Sequence, residues 1–141
     1  MRVVDASVVM SALLDTGPAG MWAQAQLASD ALAAPHLMPV EVASALRRAT
    51  AAGEIASDVA GMAHADLLEL PVDLMPYAPV ADRVWELRFS VTAYDAWYVA
   101  LAEALDAPLS TVDRRLTRAP GPRCAFDVPP DRPSDPNIDG T

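Results

Sequence analysis

The stretch Arg2-Val3-Val4-Asp5-Ala6-Ser7-Val8-Val9-Met10-Ser11-Ala12-Leu13-Leu14 decides the fold class. Arg2 to Val4 read as a short buried strand, Asp5-Ala6-Ser7 as a turn, and Val8 to Leu14 return to a helix-compatible pattern. Strand, turn and helix in so few residues open an α/β unit.

The alternation continues outward from this segment. Pro18 sits where a second helix can begin, with Met21, Trp22, Ala25 and Ala28 expected on one face and an end near Ser29. Ala31 to Ala34 is a second strand, Pro35 to Ala52 a longer helix closed by Gly53, and Ser57 is expected to cap another helix reaching about Leu70. Pro71 to Met75 reads as a strand. Pro79 starts a helix carrying Val80, Val84 and Leu87, and Thr92 starts one that is almost wholly apolar from Ala96 to Ala102, as a helix covered on both sides must be. Pro108 to Thr111 is a strand, Asp113 to Arg118 a helical turn, and Arg123 to Val128 a last strand after the Pro120-Gly121-Pro122 break. The pattern predicts an α/β fold of three layers, α/β/α, around a central parallel sheet over residues 1–128. Residues 129–141 are proline-rich and polar without periodicity, and a loose tail is expected there.

Composition narrows the function. With 141 residues, 52% of them hydrophobic, the chain suits one domain with a real core. The single Cys124 cannot form an internal disulfide, and His36 and His64 offer no zinc-ligand spacing, so a disulfide scaffold and a zinc module are excluded. Net charge is -9, so binding of RNA or DNA needs a local basic patch. Every basic residue is Arg, which removes Schiff bases, Walker loops and phosphate-anchoring lysines. Asp5 interrupts what would be a signal peptide's apolar stretch, and no later run is long enough to span a bilayer, so a cytoplasmic protein without a membrane segment is expected.

In open parallel sheets ligands bind beyond the carboxyl ends of the strands, which makes acids at those ends the first candidates for chemistry. Asp5 follows the first strand with Ser7 two residues on; Asp113 follows the strand ending at Thr111. Each alone also fits an ordinary helix cap. Glu41 shares a helical face with Leu37, Met38, Ser44 and Ala45, an expensive place for a carboxylate unless it is paired, for instance with Arg48, or bound to a cation. Asp95 stands three residues after Thr92, the spacing of a capping box. Taken together, these acids would repel one another unless a divalent cation held them. An oxygen-only ligand set suits Mg²⁺ or Mn²⁺ and metal-assisted phosphodiester cleavage.

The chain resembles the PIN-domain ribonucleases, and within them the VapC-type toxins of toxin-antitoxin pairs. Four ordered segments carry the resemblance: Val3-Val4-Asp5-Ala6-Ser7; Val40-Glu41-Val42 leading into Ala45-Leu46-Arg47-Arg48; Tyr94-Asp95-Ala96 leading into Tyr98-Val99-Ala100-Leu101-Ala102-Glu103; and Leu109-Ser110-Thr111-Val112-Asp113-Arg114-Arg115-Leu116. It implies that Asp5, Glu41, Asp95 and Asp113 are the catalytic, metal-binding acids, with Ser7 and Thr111 in supporting hydrogen bonds. It further implies a Mg²⁺- or Mn²⁺-dependent endoribonuclease restrained by a cognate antitoxin, as a homodimer or a toxin-antitoxin hetero-oligomer. Arg114, Arg115 and Arg118, a basic cluster beside Asp113, are candidates for the RNA backbone, although a solvated helix face explains any one of them.

Other readings compete. An aspartyl-nucleophile phosphatase needs a second Asp where Ser7 stands, and it needs a lysine; a phospho-receiver domain fails on the same missing lysine. A catalytically inactive PIN-like module that binds RNA or protein remains the alternative. Trp22, Trp85, Trp97 and Met21 are assigned to core or interface, Cys124 to a buried strand, and His36 and His64 to the surface or to caps.

Overall fold

The computed structural model describes residues 1–131. Five parallel strands form one sheet: β1 Arg2–Val4, β2 Leu32–Pro35, β3 Val72–Met75, β4 Leu109–Ser110 and β5 Phe126–Asp127, in the order β3-β2-β1-β4-β5. Helices α1 Ala6–Leu14, α2 Pro18–Ala28, α3 Met38–Ala51 and α4 Ser57–Glu69 precede β3; α5 Ala81–Glu86, α6 Ala93–Leu105 and α7 Arg114–Arg118 follow it. The chain runs outward from β1 to β2 and β3, then returns to the other side of β1 for β4 and β5. The switch point therefore falls between β1 and β4, where an open parallel sheet forms its ligand crevice.

Burial explains the layers. Val3, Val4, Ala33 and Leu109 are fully buried, as central strands covered on both faces require. On one side α1 packs against α2, α3 and α4. On the other, α6 lies across β1, β2 and β4 and against α5, with Ala96 and Tyr98 through Ala102 all buried. That is the doubly covered helix its apolar run predicted. Asp106 ends α6 in the left-handed conformation, which Asp tolerates better than most residues.

Several sequence expectations change. In α2 the inward residues are Gly20 and Ala23, while Met21 is 68% exposed and Ala25 also faces outward. The cause is close approach: a Cβ on Gly20 would stand 1.8 Å from the Asp15 carbonyl oxygen, so the α1-facing side of α2 accepts only small residues. Pro35 lies in β2 rather than in a helix, and α3 begins at Met38. Ser57 opens α4 without capping it; Ala56 holds the cap position. Cys124 precedes β5 instead of lying within it, because β4 offers only Leu109 and Ser110 as partners.

Pro129 and Asp131 stand beside α7, where the Arg114 guanidinium meets the Pro129 carbonyl and pairs with the Asp131 carboxylate at 3.1 Å. The rest of the expected tail, 132–141, lies outside the described residues. Among the described residues no helix is long and apolar enough to cross a membrane.

Candidate functional site

Asp5 leaves β1 and caps α1, so one residue serves both the helix and the crevice. Its Oδ1 accepts from the Ser7 N–H at 2.8 Å, the Val8 N–H at 3.2 Å and the Ser7 hydroxyl; its Oδ2 accepts from the Thr111 hydroxyl at 2.5 Å. The two hydroxyls are themselves fixed by the segment that follows β4: Ser7 Oγ accepts from the Val112 N–H at 3.2 Å, and Thr111 Oγ1 from the Asp113 N–H at 3.0 Å. A closed set of hydrogen bonds thus joins the carboxyl ends of β1 and β4. Asp5 and Thr111 are buried. Burial raises the Asp5 pKa despite these donors, each of which favours the charged form.

Asp113 caps α7, its Oδ1 accepting from the Arg115 N–H at 2.9 Å. For Asp5 and Asp113, capping and a place at the crevice therefore coincide. Asp95 differs. Thr92 Oγ1 accepts from the Asp95 N–H at 3.2 Å, but the reciprocal bond from the Thr92 N–H to the Asp95 carboxylate is not made, so half of the expected capping box forms. The Asp95 carboxylate instead shares an open cleft of about 520 Å³ with Asp113, Thr92 and Arg115. Desolvation raises its pKa, and the charges of Asp5 and Asp113 raise it further.

Glu41 comes from the first turn of α3, at the margin of the face that buries Met38, Val42 and Leu46. The anticipated pairing with Arg48 does not occur; Tyr98 of α6 donates its hydroxyl to Glu41 Oε1 at 2.7 Å. Desolvation raises the Glu41 pKa, Asp5 and Asp95 add to the rise, and the Tyr98 bond opposes it. Burial, with Glu41 beside it, also pushes the Tyr98 phenol up, so the proton stays on the phenol at neutral pH.

Acids from four different segments thus gather near the switch point: Asp95 and Asp113 line one cleft, Glu41 lines another with Ser7, and the charge of Asp5 bears on both Glu41 and Asp95. Among the described residues, however, no three acidic, histidine or cysteine side chains are grouped so that they could hold an ion between them. The donor set nevertheless fits a hard divalent cation. Mg²⁺ keeps several waters and is usually held by only one or two carboxylates, so a closed cage is not required of it. The rise that neighbouring carboxylates add at Glu41 and Asp95 is the strain that such a charge relieves.

The PIN-domain profile matches residues 2–122. The chain belongs to the PIN-domain family. It is similar to Ribonuclease VapC1 of Mycobacterium tuberculosis, 44% identical over 123 residues that cover 86% of this chain and 92% of the relative. Ribonuclease VapC9 of the same species is 38% identical over 130 residues, 92% of this chain and 99% of the relative. Among solved structures, VapBC2 from Rickettsia felis, bound to a DNA fragment from its promoter, superposes with a TM-score of 0.64 at 12% identity, covering 90% of this chain and 97% of that chain. At that identity the likeness concerns the fold alone. The two mycobacterial relatives place this PIN domain in the VapC ribonuclease group.

Sequence reasoning missed two parts of this PIN domain. Tyr98 stands three residues after Asp95, the spacing that puts both on one side of α6, and that signal could have joined it to the acids. Of the two places expected for Trp85, core and interface, its 66% exposure excludes the core, and Phe89, 89% exposed, reaches the Asp95 cleft. The basic cluster also divides: Arg115 lines that cleft, Arg114 is engaged by Pro129 and Asp131, and Arg118 is exposed outside it.

Proposed function

We propose that the chain is a metal-dependent endoribonuclease, the toxin of a toxin-antitoxin pair, with residues 1–128 as the nuclease unit and Asp5, Glu41, Asp95 and Asp113 as its catalytic and metal-holding acids. One observation carries this reading: carboxylates following β1, on α3 and α6 and at the β4–α7 junction lie near enough that the charges of Asp5, Asp95 and Asp113 raise the pKa values of Glu41 and Asp95, in a chain 44% identical to Ribonuclease VapC1. Mg²⁺ or Mn²⁺ bound there would activate water and neutralise charge on the phosphoryl oxygens.

The protein's own groups prepare the site. Ser7 and Thr111 hold Asp5 in one orientation, so its carboxylate needs no rearrangement. Tyr98 fixes Glu41 through Oε1 and, among the described residues, leaves Oε2 without a hydrogen-bond partner. Asp95 and Asp113 line the cleft where a phosphodiester can enter, and Arg115 faces the same space as a bidentate donor for its oxygens.

The antitoxin is the partner implied by the VapC resemblance. A homodimer or a toxin-antitoxin hetero-oligomer in the cytoplasm is the assembly consistent with it. Asp5→Asn and Asp95→Asn, which remove charge at nearly constant volume, should each abolish Mg²⁺-supported RNA cleavage while circular dichroism stays native. Full activity in excess EDTA, or in both variants, would overturn the proposal.

A further inference from the structure

After α5 ends at Glu86, the chain drives Leu87 into the core at 2% exposure and turns its neighbours outward. Trp85, Arg88 and Phe89 then occupy one side of this turn at i, i+3 and i+4. The Arg88 guanidinium carbon lies 4.6 Å from the centre of the Trp85 ring and 4.5 Å from that of Phe89. Its Nη1 donates to the Trp85 carbonyl at 2.8 Å. Trp85 therefore anchors Arg88, and Arg88 backs Phe89. Among the described residues no carboxylate pairs with Arg88, although the chain carries a net charge of -9.

Phe89 at 89% exposure leaves nearly the whole of its outer surface open, and Arg88 and Phe89 line the same cleft as Asp95, Asp113 and Arg115. Unstacked nucleobases stack on aromatic rings and on arginine planes, while phosphates are met by Arg. We infer that Phe89, backed by Arg88 and Trp85, is a nucleobase subsite for single-stranded RNA, seating a base next to a phosphate that Arg115 meets in the cleft of Asp95 and Asp113. The assignment rests on the ribonuclease reading of that cleft. A base fits better than a protein surface because a cation separates the two rings and an acid-and-arginine crevice continues from them, where a protein groove would be a contiguous apolar patch.

The test uses the Asp95→Asn protein with Mg²⁺ and two probes of about ten units: random-sequence RNA, and an abasic ribose-phosphate oligomer of equal charge. Phe89→Ala should weaken RNA binding about 5- to 150-fold, the effect of losing one base–aromatic stack. Binding of the abasic oligomer should be unchanged, and Phe89→Tyr should restore RNA affinity. Equal effects on both probes, or none on either, overturn the subsite. So does a change in self-association or in affinity for a protein partner with RNA binding intact. RNA cleavage by the otherwise unaltered protein separates the two readings. Base-selective loss without any cleavage activity removes the nuclease reading and leaves the subsite, whereas cleavage with no base-selective effect removes the subsite alone.

Discussion

Thr111 Oγ1 donates to Asp5 Oδ2 at 2.5 Å, joining residues 106 apart in sequence across the junction of β1 and β4. The same oxygen accepts from the Asp113 N–H, so one buried hydroxyl ties together two of the four acids.

Thr111→Val should accordingly do more than remove a methyl-sized polar group. It leaves a buried carboxylate short of a donor and a backbone N–H short of an acceptor, at a cost of about 1–3 kcal/mol for each unsatisfied group. Urea unfolding should show that loss, and RNA cleavage should fall because Asp5 is no longer held. Thr111→Ser keeps the hydroxyl and should recover most of both. Equal behaviour of Val and Ser would mean that the hydrogen bond is not what Thr111 contributes.

Asp5, Glu41 and Asp95 all have pKa values raised in the folded state above ordinary values of 3.8 for Asp and 4.5 for Glu. As pH rises from those values toward the folded-state ones, the unfolded chain has released protons that the folded chain still holds. Stability must then fall with rising pH across that window and level off above it. In EDTA, the melting temperature should decline through this range. Glu41→Gln keeps an acceptor for Tyr98 while removing a charge that Asp5 and Asp95 oppose, so it should flatten the decline and be neutral or slightly stabilising near neutral pH. A clear loss of stability in that variant would make Glu41 a structural partner of Tyr98 and nothing more.

A divalent ion should reverse the same strain. At about 100 times its dissociation constant, Mg²⁺ should stabilise the fold by roughly 2.7 kcal/mol, provided the unfolded chain does not bind it. The shift should be absent or much smaller in Asp95→Asn. Indifference of the native protein's melting temperature to Mg²⁺ and Mn²⁺ would count against an ion at this crevice.

Asp5 and Asp113 were legible because strand ends announce themselves: Asp5 directly follows the apolar Val3-Val4, and Asp113 stands three residues beyond the end of β4, whereas Glu41 and Asp95 lie within helices. What they do there was not legible, since Asp5 and Asp113 are caps and crevice residues at once, and only the missing half of the Asp95 capping box separates the two uses. The outward turn of Met21 was hidden for a different reason. Hydrophobicity favours burying Met, but the close approach of α2 to the Asp15 carbonyl gives the inner face to Gly20 and Ala23. Trp85 and Phe89 were hidden by Val84 and Leu87, which satisfy the apolar stripe of α5 and its following turn by themselves.

The basic cluster supplies the sharpest contrast, because Arg114 and Arg115 are adjacent in sequence and differ in every surrounding. Arg115 is 93% exposed at the side chain, lies 3.9 Å from Asp113 and lines the acid cleft, an ion pair too loose and too wet to hold it back from a phosphate. Arg114 already meets the Pro129 carbonyl and Asp131, so its guanidinium is directed away from the crevice. Each phosphate neutralised on a single strand contributes about -0.7 to the slope of log K against log salt. Arg115→Gln should therefore flatten that slope by about 0.7 and weaken all RNAs alike, since phosphate contacts position without specifying sequence. Arg114→Gln should leave the slope unchanged. The measurement is RNA affinity across a salt series in the Asp95→Asn background. A flattened slope for Arg114→Gln with none for Arg115→Gln would move the RNA path to the Pro129 side of α7.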